Sequence, residues 1–248
     1  MSEAASHPFP GAREVPVHEF TVPLDGASGG RLEIRGGAAH LTVRAAPGAT
    51  DLLRSRFTGI SPEIHAAAGR VTVRARFGLE DWLRSFFFGG PPPAAPAFGL
   101  EDWFRAFFHG DRGAWGGELL LTDAVPWHVA LRGGARDLEA DLRGLKLTGL
   151  DLAGGAAGMV VDLPRPSGLV TVRLRGGAAS IAFRRPKGVA ARVDVLGGMA
   201  SFRFDHQELG AVGGRTRMQS PGFAEATDRY EFDITGGASD LVVEEAAA

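Results

Sequence analysis

The sequence predicts an all-β fold: a single-chain β-solenoid of stacked repeats, β-helix-like, with one short amphipathic helical insert. Two observations carry the prediction. A Gly-Gly pair followed by a small residue or Met recurs along the chain, and apolar residues alternate with polar ones at fixed distances on both sides of it. A third observation, a duplicated aromatic stretch within 77–110, marks the one place where the pattern breaks.

The pair opens GGAAHLTVR (36–44), GGARDLEAD (133–141), GGAAGMVVD (154–162), GGAASIAFR (176–184), GGMASFRFD (197–205) and GGASDLVVE (236–244). From 133 to 197 the pairs follow at intervals of 21, 22 and 21 residues, and the interval of 39 to position 236 is close to two units. Two and four positions before the first Gly stand Leu32/Ile34, Val129/Leu131, Leu150/Leu152, Val172/Leu174, Val193/Val195 and Phe232/Ile234. Five and seven positions after it stand Leu41/Val43, Leu138/Ala140, Met159/Val161, Ile181/Phe183, Phe202/Phe204 and Leu241/Val243. That is the period of a strand with one buried face. Each unit therefore reads as strand, Gly-Gly corner, strand, with glycine supplying positive φ or close backbone approach.

One unit is too small to fold alone, but stacked units would align equivalent side chains into internal columns. A period of 21–22 suits about three short strands per coil. Periodicity does not assign strand partners, so an open two-sheet antiparallel roll is the alternative.

The chain divides into a disordered tail at 1–14, an N-terminal β part at 15–76, the duplicated insert with its Pro-rich spacer at 77–117, and the repeat region at 118–248, continuous with 15–76. In the insert, FGLEDWLRSFFFG (77–89) returns as FGLEDWFRAFFHG (98–110). Leu79, Trp82, Leu83, Phe86 and Phe87 fall at i, i+3, i+4, i+7 and i+8, and Leu100, Trp103, Phe104, Phe107 and Phe108 repeat that spacing. This is one apolar stripe on a helix. Glu80 and Asp81, and likewise Glu101 and Asp102, suit the first turn of a helix. Helices this short need a surface to lie on. The expected surfaces are an open end or edge of the solenoid, which the insert would cap, or a protein partner or second copy of the chain. A membrane surface is disfavoured, because each polar face carries two acids and one Arg.

Composition narrows the function classes. Of 248 residues 36 are Gly, roughly twice ordinary usage, and the net charge is −2. Arg and Asp are interspersed, which gives no nucleic-acid footprint. There is no cysteine, hence no disulfide or thiolate chemistry, in keeping with a cytoplasmic location. No cofactor or metal is expected. The GGA-x-D-L strings differ from calcium-binding repeats in period, and Asp recurs at the comparable place only at 137 and 240. His128 reads as an outward strand residue, and His206 with Asp205 and Glu208 reads as a polar corner. An enzyme of the polysaccharide lyase or hydrolase type would need converging carboxylates. The outward residues Glu33, Asp151, Arg173, Asp194 and Asp233 instead alternate in sign, as cross-strand pairs do.

The run LLLTDAVPWHVALRGGARDLEADLRGLKLTGLDLAGGAAGMVVDLP (119–164) resembles the toast-rack family of β-strand-repeat proteins. The resemblance lies in Val125-Pro126-Trp127 leading into a strand, the Gly-Gly spacing, and Asp141-Leu142 and Asp162-Leu163-Pro164 after the strands. It implies a structural repeat without catalytic residues, and a link to adhesin-like domains and to Lia-type regulators of cell-envelope stress. The expected function is a non-enzymatic scaffold or interaction protein, whose 77–110 insert caps the stack or docks a partner.

Overall fold

The computed structural model describes residues 16–58, 61–74, 115–211 and 213–246. Among these residues every regular element is a β-strand, arranged in two mixed sheets of ten and nine strands that do not close into a barrel.

The repeat lays one strand in each sheet. The nine-stranded sheet takes β2 (Gly30–Arg35), β8 (Pro126–Arg132), β10 (Lys146–Ala153), β12 (Leu169–Arg175), β14 (Ala190–Leu196) and β18 (Arg229–Thr235). The ten-stranded sheet takes their partners across the Gly-Gly corner: β3 (Ala38–Ala46), β9 (Ala135–Asp141), β11 (Ala156–Asp162), β13 (Ala178–Arg185), β15 (Met199–Phe204) and β19 (Ala238–Glu245). A layer thus contains two strands where about three were expected, because each strand runs six to nine residues and leaves room only for tight corners. Neighbouring layers pair in parallel, as β8 with β10 and β9 with β11. Antiparallel pairing is confined to the two ends of the stack, so the interior is not an antiparallel roll. At one end β1 (Val17–Pro23) and β4 (Asp51–Thr58) extend one sheet, and β5 (Glu63–Ala67) extends the other. At the other end β16 (Gln207–Leu209) and β17 (Arg215–Gln219) do the same.

Chain order and stack order differ once. β18 pairs with both β12 and β14, and β19 with both β13 and β15, so the last layer of the chain sits inside the one before it.

All the alternating apolar positions named above are buried between the sheets. Trp127 is fully buried against Gly30, where a Cβ would come within 2.6 Å of the indole ring, and its Nε1–H donates to the Thr122 carbonyl at 2.8 Å. Strand alternation therefore places the core, and the corners place everything else.

The corner itself is a column of glycines. Gly133, Gly154 and Gly176 have φ of 118°, 119° and 118°. A Cβ on Gly176 would lie 2.5 Å from the Gly154 carbonyl oxygen, and Gly133, Gly154, Gly197 and Gly236 likewise crowd the backbone of a neighbouring layer. Amide to carbonyl hydrogen bonds continue around the bend, as from Gly154 N–H to Arg175 O at 2.9 Å and from Ala156 N–H to Gly177 O at 3.0 Å. Both proposed roles of glycine, positive φ and close approach, fall on the same residue of the pair.

Two positions beyond the second glycine's neighbour the chain turns left-handed again in every unit. His40, Asp137, Gly158, Ser180, Ser201 and Asp240 all have φ between 51° and 61°. The register skips this residue between paired neighbours, which makes it a stacked bulge. Short polar residues tolerate that conformation best after glycine. This accounts for Asp137 and Asp240 without calcium.

Candidate functional site

Three features lie outside the regular core: the outer face of the nine-stranded sheet, the corner opposite the glycines, and the point where the insert leaves the stack.

On the outer face, register places Glu33, Ala130, Asp151, Arg173, Asp233 and Asp194 in one row across six adjacent strands. The carboxylates share a row without forming a cleft pair. Glu33, buried to 4% exposure, accepts from Arg35 at 3.0 and 2.9 Å and from Arg132 at 3.0 Å. Asp151 accepts from His128 Nε2 at 2.9 Å and from Arg173 at 3.3 Å. His128 is therefore half-buried and hydrogen-bonded instead of solvated. Asp194 is held by Arg217 at 2.9 Å and by Arg215 at 3.5 Å. The expected sign alternation holds between Asp151 and Arg173. It fails between Asp233 and Asp194, which become neighbours because β18 enters the stack ahead of β14.

Partial burial pushes the Asp151 carboxyl up, but the hydrogen bonds and charges of His128 and Arg173 outweigh it and hold it below the usual carboxylate range. Asp194 behaves alike, with Arg217, Arg215 and Arg192 outweighing burial. Both groups are acids made stronger, the opposite of the raised carboxyl that a general acid requires. Because these values are lower in the folded chain, their stabilisation is complete above about pH 4, the unfolded value, and is lost as pH falls through the folded ones. Thermal unfolding should thus lose stability steeply below about pH 4. The Asp151→Asn/Asp194→Asn double variant should start less stable at neutral pH and lose less on acidification.

At the opposite corner, Leu142 and Leu163 close their layers as buried residues, and the equivalent place in the next layer is Arg185. Its guanidinium is buried and forms two 2.7 Å hydrogen bonds to Asp205, one of 2.8 Å to the Val189 carbonyl, and a face contact with the Phe204 ring 5.5 Å away. A cleft of about 470 Å³ lies beside it, lined in part by His206, Arg203 and Glu244. His206 and Glu208 are exposed, and both oxygens of Asp205 serve Arg185, so the suspected acid–His cluster does not assemble. No group of three or more His, Cys, Asp or Glu able to hold a metal ion occurs among the described residues.

The insert interrupts a corner. β6 (Arg70–Arg74) lies beside β2, with Arg74 opposite Arg35, and β7 (Trp115–Thr122) lies beside β3, with Trp115 opposite Ala38. Gly36 and Gly37 join Arg35 to Ala38 in the neighbouring layer. Residues 75–114 thus stand where other layers have a two-residue Gly-Gly turn. The ten aromatic and aliphatic residues expected to bind or cap, Leu79, Trp82, Leu83, Phe86, Phe87, Leu100, Trp103, Phe104, Phe107 and Phe108, lie outside the described residues. Sequence reasoning located the insert but not its place in a layer, which depends on β6 and β7 being partners across a corner.

No family model matches this chain, and no curated protein matches it. Among solved structures, the fold is similar to the crystal structure of a candidate cell adhesion protein from Clostridium sporogenes, at a TM-score of 0.58 and 13% identity, covering 94% of this chain and 100% of that one. At that identity the likeness is one of fold. No helix among the described residues is long and apolar enough to cross a membrane, which says nothing of β-barrels.

Proposed function

We propose that the protein is a non-enzymatic β-solenoid of the toast-rack kind, an adhesion-type scaffold that presents the 77–110 insert to a protein partner or to a second copy of itself. The observation that carries this reading is the position of the insert, which replaces one two-residue corner in a column of otherwise regular Gly-Gly corners. An addition at a corner leaves both sheets paired through it. The likeness to a candidate adhesion protein and the salt-bridged carboxylates support the same reading.

Light scattering after size exclusion tests it, on the full chain and on a chain with 77–110 replaced by a Gly-Ser linker. Self-association of the full chain and a folded, monomeric replacement are expected. A monomeric full chain together with an aggregating replacement contradicts the proposal and makes the insert a cover for the stack.

A further inference from the structure

Arginines line the edge of the nine-stranded sheet next to the glycine column. Register places Arg74, Arg35, Arg132, Arg175 and Arg215 at one level across the strands, each as the last residue before its corner or its equivalent. Ala153, Thr235 and Leu196 fill the remaining places, and Leu196 is 58% exposed. All five arginines are exposed. Strand spacing makes the line roughly 34 Å long from Arg74 to Arg215. Arg35 and Arg132 share the buried Glu33, and Arg215 reaches Asp194. Arg74, which stands opposite Glu63 of β5, and Arg175 have no ion pair within 4.0 Å among the described residues.

We propose that this line binds a linear anionic polysaccharide, laid along the stack axis beside the glycine corners. Guanidinium forks take carboxylate or sulfate groups in bidentate fashion. Arg74, Arg35 and Arg132 stand on adjacent strands, about 4.8 Å apart, with Arg175 two strands and Arg215 five strands beyond Arg132, so a polymer with many acidic groups along its length can engage several of them at once. The small or aliphatic side chains of Ala153, Thr235 and Leu196 leave room for sugar rings between the charged contacts. The geometry disfavours other polyanions. Two residues inward runs the row of Glu33, Asp151, Asp233 and Asp194, which would repel a flat anionic membrane covering the whole face but not a narrow strand kept to the edge. None of the outward positions in that row or in the arginine line is Phe, Trp or Tyr, so single-stranded nucleic acid finds no stacking platform there. Arg74 directly precedes residues 75–114, whereas Arg35, Arg132, Arg175 and Arg215 lie on other strands.

Titration calorimetry of the full chain with polygalacturonate at low salt tests the proposal. Binding that weakens as salt rises is expected. Arg74→Gln/Arg175→Gln leaves the Glu33 pairings intact and sets no like charge opposite Glu63, and should keep its melting temperature while binding about tenfold more weakly. Replacing 77–110 by a Gly-Ser linker should leave the affinity unchanged. Absence of binding, equal binding by the Arg74/Arg175 variant, or loss of binding on replacing the insert overturns the proposal. Tighter binding of a single-stranded oligonucleotide or of phosphatidylserine vesicles than of polygalacturonate also overturns it, assigning the line to another class of anion.

Discussion

Asp205→Asn is expected to destabilise the protein by about 3 kcal/mol, because it strands a buried arginine. Arg185 is fully buried and Asp205 supplies its charge partner through two hydrogen bonds, while Glu245 stands farther off at 3.8 Å. An arginine cannot escape by losing its proton. Asn keeps the shape of Asp and tolerates its left-handed φ of 52°, so the substitution isolates the charge. Arg185→Met/Asp205→Asn should recover most of the loss, since Met fills the place that Leu142 and Leu163 occupy in other layers. Denaturant unfolding of the single and double variants checks both. A single variant within about 0.5 kcal/mol of the parent removes Arg185 as the lock on that corner.

Gly176→Ala should cost about 3 kcal/mol, while Gly177→Ala, one residue along the same corner, should be close to neutral. Gly176 sits at φ 118°, which an L side chain rarely adopts, and its Cβ would press on the Gly154 backbone, which cannot swing away as a side chain can. Gly177 has nothing within 4 Å of a Cβ. The difference between the two midpoints is read by denaturant unfolding. Equal costs would mean that glycine serves there only as a flexible turn residue.

Much of this molecule was legible as pattern. Side chains such as Leu150, Leu152, Met159 and Val161 are buried where their alternation with charged residues put them, because one face of each strand must leave water. The Gly-Gly corner was legible too, but not that positive φ and close approach both fall on its first glycine. Neighbours across the sheets were not. Nothing in the spacing says that β18 enters between β12 and β14, so the contacts of Asp194 and Asp233 could not be read from the sequence. Two signals were present and missed. Position four after each first glycine carries His, Asp, Gly, Ser, Ser or Asp, a set united by tolerance of the left-handed region and marking the bulge. Arg directly precedes the pair at 35, 132 and 175, and becomes the charged edge once the layers align. Arg185 gave no signal of burial, because a charged residue in a leucine position reads as a surface break.

On the proposed reading the two sheets are complete without the insert, and 77–110 serves a partner. Denaturant unfolding across a tenfold dilution series tests it most directly, comparing the full chain with the chain carrying a Gly-Ser linker in place of 77–110. The dilution separates association from folding. The account predicts stabilities within about 1 kcal/mol at the lowest concentration, with equal denaturant slopes. A loss of several kcal/mol that persists on dilution would contradict it, and would make the duplicated aromatic segment part of the fold.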